Sequence, residues 1–264
     1  MHAFVTGASS GIGEAIARIF SAEGYDVTLV ARRESELTRV AGLLSPERRC
    51  SVRPADLSGL GSVEPLVAEA ERELGPIDVL VNNAGMQIVA STAEVDPREG
   101  ERLLTLNVMA PFRLTHAALQ RMIPRGAGTI VDIASLAALA PTPGMFHYSA
   151  SKAALAAASE SLRAEVARHG VHVVTVYPGP IHTPMAQAAV DRYAGDPTRG
   201  LPIGDTDTLA RLVLRAVRKR RARVIYPRAY ALARSFPALT RSVVDRFSPL
   251  PTPRLTSGRG DGDK

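Results

Sequence analysis

Apolar residues along the chain follow two alternating patterns. Short dense runs occupy Ala3–Thr6, Asp26–Ala31, Cys50–Pro54, Val79–Asn82, Gly128–Ile133, Val171–Tyr177 and Arg223–Tyr226. Several are nearly continuous in Val, Ile and Leu, as strands buried on both faces require. Between them, Gly13–Glu23, Glu34–Leu44, Gly61–Leu74, Glu99–Met122, Ser151–Arg168 and Thr206–Arg220 place apolar residues at helical intervals. Strand then helix, repeated along the chain, predicts an α/β fold, a doubly wound parallel sheet of about seven strands with helices on both faces.

The 264 residues, 45% hydrophobic and 22% charged, are those of a globular chain with a sizeable core. Cys50 is the only cysteine, which excludes a disulfide scaffold. No apolar run is long enough to predict a membrane-spanning helix. Met1 to Thr6 lead straight into a strand and leave no room for a signal peptide, so a cytoplasmic location is expected. No repeat or linker divides residues 1–227, which are read as one domain.

The net charge of +6 is unevenly distributed. Residues 1–204 hold 18 Lys and Arg against 21 Asp and Glu, whereas 205–264 hold 14 against 5. Within the basic end, residues 228–248 set Tyr230, Phe236, Leu239, Val243 and Phe247 at helix-like spacings around Pro237, interleaved with Arg234, Arg241 and Arg246. This reads as a basic amphipathic helical extension, suited to an anionic membrane surface, a cap over a pocket, or a subunit contact. Nucleic acid is not expected, since no recognition motif accompanies the charge. Residues 249–264, rich in Pro, Gly and polar groups, read as a disordered tail.

Candidate chemistry begins at Thr6-Gly7-Ala8-Ser9-Ser10-Gly11-Ile12-Gly13, between the first strand and the first helix. Glycines let a backbone approach a pyrophosphate closely, and a helix N-terminus supplies free N–H groups at a positive dipole end. The G-x-x-x-G-x-G spacing is a variant of the dinucleotide fingerprint and makes the sheet Rossmann-type. A triphosphate loop would need a lysine, which is absent here. The embedded G-x-S-x-G matches a hydrolase nucleophile elbow, but that elbow belongs later in the sheet. After the second strand no acidic residue stands ready for a ribose 2′-hydroxyl; Arg32 and Arg33 stand there instead. Two guanidiniums suit a 2′-phosphate, so NADP(H) is expected over NAD(H).

Four further segments complete a pattern. Asp56-Leu57 follows the third strand, Asn82-Asn83-Ala84-Gly85 closes the fourth, Ser135 follows the fifth, and Tyr148-Ser149-Ala150-Ser151-Lys152 opens the next long helix. In this order, with the glycine-rich turn, they resemble the short-chain dehydrogenase/reductase family over residues 3 to about 184, and weakly to about 227. The resemblance implies that Asn107, Ser135, Tyr148 and Lys152 are the catalytic four. It further implies that cofactor is met by Gly7, Ser9, Ser10, Gly11, Ile12 and Gly13, by Asp56 and Leu57, by Asn83, Ala84 and Gly85, and by Pro178, Gly179, Ile181 and Thr183, with Tyr148 and Lys152 also against it. His182 takes no role.

Tyr148 and Lys152, at i and i+4, share a helix face. Tyrosine has a pKa near ~10, and moving it to ~7 needs about 4 kcal/mol, which a neighbouring ammonium can help supply. Tyr148 then exchanges a proton with a carbonyl oxygen as hydride moves, and the Ser135 hydroxyl hydrogen-bonds that oxygen. Ser149-x-x-Lys152 formally matches the penicillin-binding enzymes, but their partner motifs are missing. His169 and His172 read as surface residues and no metal is expected.

Substrate contacts are expected from Met86, Gln87, Leu136, Met145, Phe146, Met185 and Tyr193, a mostly apolar set favouring a lipophilic or neutral carbonyl compound. The function expected is NADP(H)-dependent transfer of hydride between nicotinamide and a carbonyl or alcohol group, by a homodimer or homotetramer. The competing readings are a non-catalytic NADP-binding regulator and a peripheral membrane enzyme modifying lipids.

Overall fold

The computed structural model describes residues 1–252. Seven runs form strands: β1 (His2–Thr6), β2 (Asp26–Ala31), β3 (Cys50–Pro54), β4 (Val79–Asn82), β5 (Gly128–Ile133), β6 (Val171–Pro178) and β7 (Arg223–Tyr226). All pair in parallel, in the order β3-β2-β1-β4-β5-β6-β7. The order reverses between β1 and β4, which opens a crevice at the carboxyl ends of the strands.

Successive strand residues point to opposite faces, and both faces are covered. On one side Val5, Val27, Leu29, Val131 and Val174 pack against α1 (Gly11–Ala22), α2 (Glu34–Ala41) and α8 (Thr206–Arg218). On the other Phe4, Val30, Leu80, Ile130 and Val173 pack against α3 (Val63–Leu74), α5 (Ala110–Arg125) and α6 (Phe146–Val166). Burial on both faces is why these strands are continuous in β-branched residues. The remaining helices are α4 (Pro97–Leu104), α7 (Pro184–Val190), α9 (Ala231–Ser235) and α10 (Pro237–Phe247).

Three departures from the sequence reading bear on the site. The single helix expected over 99–122 is interrupted at Thr105–Met109 by one π-helical turn, which separates α4 from α5. Helix α6 begins at Phe146, five residues earlier than expected, so Tyr148 lies within its first turn. His172 is no surface residue: it is buried in β6, its Nε2 at 3.1 Å from the Arg221 carbonyl oxygen.

The segment after Tyr226 folds as a short 3₁₀ turn, Arg228–Tyr230, then α9 and α10 with Pro237 at the first helical position. Of the expected disordered tail, residues 249–252 run beside the 192–194 segment. The Thr252 amide donates to the Arg192 carbonyl at 2.9 Å, and Pro251 bridges to Tyr193. The rest of that expected tail, residues 253–264, lies outside the described residues.

Candidate active site

The crevice is a cavity of about 1190 Å³, above the ~300–1,000 Å³ of ordinary small-molecule sites. That volume leaves room for two ligands side by side. Along one half run Gly7, Ser9, Ser10, Gly11 and Ile12, with Arg32, Arg33, Asp56 and Leu57 on the flank and Asn83, Ala84 and Gly85 beneath. Along the other run Ser135, Leu136, Gln87, Met145 and Tyr148, then Met185 and Tyr193. Lys152, Pro178, Gly179, Ile181 and Thr183 also line it. Four residues expected in contact with ligand do not line it: Gly13, Met86, Phe146 and Asn107.

The glycine-rich turn is held from below. Gly7 has φ +63°, a left-handed conformation, and an added Cβ would meet the Ala84 Cα at 2.8 Å. Asn83 Nδ2 donates to the carbonyls of Thr6 at 2.9 Å and Gly7 at 3.2 Å. The Thr6 hydroxyl accepts from the amides of Asn83 and Ala84 and donates to the Val81 carbonyl. This brace was missing from the sequence reading, which took Asn83 for a ligand contact and Thr6 for the end of a strand. Gly13 is part of the same packing, since its Cβ would fall 2.2 Å from the Gly7 oxygen. The N-cap of α1, Ser10, makes no side-chain capping bond, so the first N–H groups of the helix are left for an anion in the cavity. Arg33 donates to the Ser9 hydroxyl at 3.2 Å, which brings a guanidinium over this turn. A dinucleotide with a phosphate near Arg32 and Arg33 fits these donors.

At the far end, Lys152 is buried and its Nζ donates to the Ile133 carbonyl at 2.8 Å. The same ammonium stands 5.8 Å from the centre of the Tyr148 ring. Burial pushes the lysine down to about 8, with the nearby Asp132 carboxyl opposing. Tyr148 departs from expectation. Burial raises its pKa, and the hydrogen bond with Ser135, not the charge of Lys152, is the opposing influence. The phenol is therefore held in its protonated form. Ser135 caps the 3₁₀ turn Leu136–Ala138, its Oγ accepting from the Ala137 amide at 3.1 Å, which fixes the hydroxyl at the end of β5.

Asn107 sits inside the π turn, almost fully buried. Its Oδ1 accepts from the Met86 amide at 2.9 Å, while its Nδ2 donates to the Met86 carbonyl at 2.9 Å and to Ser151 Oγ at 3.0 Å. Ser151 in turn donates to the Tyr148 carbonyl. Gly85 lies between Asn107 and Lys152, and a Cβ there would meet Asn107 Oδ1 at 3.1 Å and Lys152 Nζ at 3.5 Å. π turns recur at functional sites because the extra residue re-aims a side chain. Here it turns Asn107 toward Met86 and Ser151, outside the cavity lining.

Of the expected substrate residues, Met86 packs, as Tyr148 does, against the cluster of Ile88, Ala90 and Leu103, and Phe146 is exposed beside His147. Tyr193 is buried and its hydroxyl donates to the Pro143 carbonyl at 3.0 Å, so it presents ring rather than hydroxyl. Helix α7, with Thr183 as N-cap and Pro184 at its first position, carries Met185 into the cavity.

A Rossmann-type sheet with this turn, a half-buried Tyr and Ser and a buried Lys beyond the carboxyl ends of its strands defines a nucleotide-dependent oxidoreductase site. The family model for short chain dehydrogenase matches residues 1–194. A fatty acyl-CoA reductase of Mycobacterium tuberculosis is 38% identical over 197 residues, 73% of this chain and 67% of that protein. Nodulation protein G of Rhizobium sp. is 37% identical over 202 residues, 75% of this chain and 82% of that protein. Among solved structures, a short-chain dehydrogenase from Sphingobium yanoikuyae in complex with NADPH superposes with a TM-score of 0.78 at 30% identity, covering 97% of this chain and 98% of that one. An actinorhodin polyketide ketoreductase with NADPH gives 0.79 at 31%, covering 85% and 95%. The chain belongs to the short-chain dehydrogenase family.

Proposed function

We propose that the protein is an NADPH-dependent reductase of a lipophilic carbonyl compound, also able to run in the alcohol-oxidising direction. The observation that carries this is that Tyr148, Ser135 and Lys152 line the same cavity as the uncapped N-terminus of α1. The NADPH bound by the Sphingobium yanoikuyae protein and the actinorhodin ketoreductase supports the cofactor, as does the pair Arg32 and Arg33. The fatty acyl-CoA reductase and the ketoreductase support carbonyl reduction.

When bound, the reduced nicotinamide supplies hydride to the carbonyl carbon. The chain's own residues handle the oxygen. Ser135 Oγ and Tyr148 Oη share it, polarising the carbonyl and stabilising the charge that develops there. Tyr148 passes its proton to that oxygen, giving the alcohol and leaving a phenolate, the form that a hydrogen bond from Ser135 favours. Because burial keeps the free phenol protonated, the reductive direction starts from the form already present. Arg32 and Arg33 would hold the cofactor's 2′-phosphate and the first amides of α1 its pyrophosphate.

NADPH consumption against a panel of aliphatic, aromatic and ring-fused ketones and aldehydes tests the proposal. Turnover of lipophilic members supports it, and no consumption with any member would sink it. Leu104, Met109 and Phe112 leave apolar side chains exposed along α4, the π turn and α5, which supports a homodimer or homotetramer; light scattering checks it.

A further inference from the structure

The short-chain dehydrogenase match stops at residue 194, yet the cavity does not. Leu232, Phe236, Leu239, Val243 and Phe247 recur at helical intervals along α9 and α10, and all five line the cavity that also holds Ser135 and Tyr148. Each is 49–72% exposed, so together they form a bare apolar stripe of a kind that soluble proteins keep for binding.

Polar contacts hold the segment with this stripe facing the cavity. Arg234 reaches Glu160 on α6 at 3.4 Å, Arg241 Nη1 donates to the Pro141 carbonyl at 2.8 Å, and the Tyr230 hydroxyl donates to the Pro202 carbonyl at 2.9 Å. The Tyr230 ring also packs on Gly179, where a Cβ would come within 2.7 Å of it. Two of the arginines that suggested an anionic membrane surface are thus paired, Arg234 with Glu160 and Arg241 with Asp245. None of the five stripe residues carries a charge or a hydrogen-bonding side chain.

We propose that α9 and α10 form the distal wall of the substrate site and hold an aliphatic chain whose carbonyl end lies at Ser135 and Tyr148. This rests on the carbonyl-reductase reading of the same site. A chain running along the stripe is desolvated one methylene at a time, so affinity grows with its length.

The test uses the full-length protein and the straight-chain ketones from 2-butanone to 2-decanone. In the parent, kcat/KM should rise by roughly fourfold per added methylene over part of the series. In the double variant Leu239→Gln, Val243→Gln, the 2-decanone to 2-butanone ratio should fall by about tenfold or more. Both side chains are largely exposed, and thermal melts check that the variant folds. Calorimetric Kd values for the same ketones on the Tyr148→Phe protein with NADP⁺ separate this inference from the reaction. Length-dependent binding there, lost when Leu239→Gln and Val243→Gln are added to Tyr148→Phe, upholds the subsite even if the parent reduces none of them. Turnover or binding indifferent to chain length overturns it. So does co-sedimentation of the parent with anionic phosphatidylserine vesicles that the double variant loses, or a change of oligomeric state in that variant, since either assigns the stripe to another occupant.

Discussion

Asn107 and the backbone of Met86 are joined by two hydrogen bonds of opposite direction, both 2.9 Å, so that one amide side chain acts as the missing neighbour of an unpaired chain segment. The π turn is what makes this reach possible. The pair fixes the segment Gly85–Met86 over Lys152, and through Ser151 it is tied to the first turn of α6, where Tyr148 stands.

Asn107→Ala should therefore leave a half-buried N–H and C=O of Met86 without partners, at about 1 kcal/mol each. A fall in Tm of about 5 °C or more is expected by calorimetry, together with roughly tenfold lower kcat/KM. A variant melting with the parent and equally active would contradict this role.

Glu160 joins four elements. On α6, it receives Arg223 from β7, Arg163 from its own helix, Arg234 from α9, and the Tyr177 hydroxyl from β6. The hydrogen bond from Arg223, more than any other influence, holds the carboxyl down to about 2. Since the folded value lies below the unfolded one, near 4.5, this stabilisation is complete above the unfolded range and is lost as pH falls from there toward 2. Glu160→Gln should lower Tm at pH 7 by about 2–4 °C and flatten the parent's loss of stability between pH 5 and 3. Parallel pH curves for the two proteins would refute it.

What could be read in advance, and what could not, follows from how far apart the partners lie. The strands were legible because burial on both faces leaves Val, Ile and Leu in unbroken runs, and the glycine-rich turn because Gly7 needs a positive φ where the backbone is crowded. Ser135, Tyr148 and Lys152 could be placed by order and spacing. The π turn could not, since the apolar period runs through 99–122 without a visible break. Short α7 was missed although Thr183-Pro184 is a cap followed by a first-position proline. The bonds of Glu160 to Arg223 and Arg234, and the Thr6–Asn83 brace, join residues too distant in the chain for any local pattern. The stripe of 232–247 was visible as a spacing, but not as the wall of a cavity.

Lys152 binds its proton more weakly in the fold, at about 8, than in the unfolded chain, at 10.5, because burial disfavours the ammonium. Between those values the unfolded chain holds more protons, so stability attributable to this residue climbs as pH rises through the window. Relative to Lys152→Met, the parent should gain up to about 3 kcal/mol between pH 8 and 10.5 in urea denaturation. A constant difference between the two would show that the lysine is not shifted.

Arg32 and Arg33 face the cavity with no carboxylate at the end of β2. In the Arg32→Ala, Arg33→Ala protein the preference for NADPH over NADH, measured as a ratio of Kd values, should fall by about 10- to 100-fold. Equal affinities in the parent would remove the basis for assigning these residues to the 2′-phosphate.

The central claim is that the Tyr148 hydroxyl delivers the proton. Tyr148→Phe removes one oxygen from a half-buried ring and leaves Lys152, Ser135 and the glycine-rich turn in place. Single-turnover reduction of a lipophilic ketone by this variant, with NADPH affinity measured beside it, is the most direct test. The account predicts NADPH binding within about twofold of the parent and a hydride-transfer rate lower by about 100-fold or more. A rate near the parental one, with NADPH bound equally well, would show that the proton comes from elsewhere.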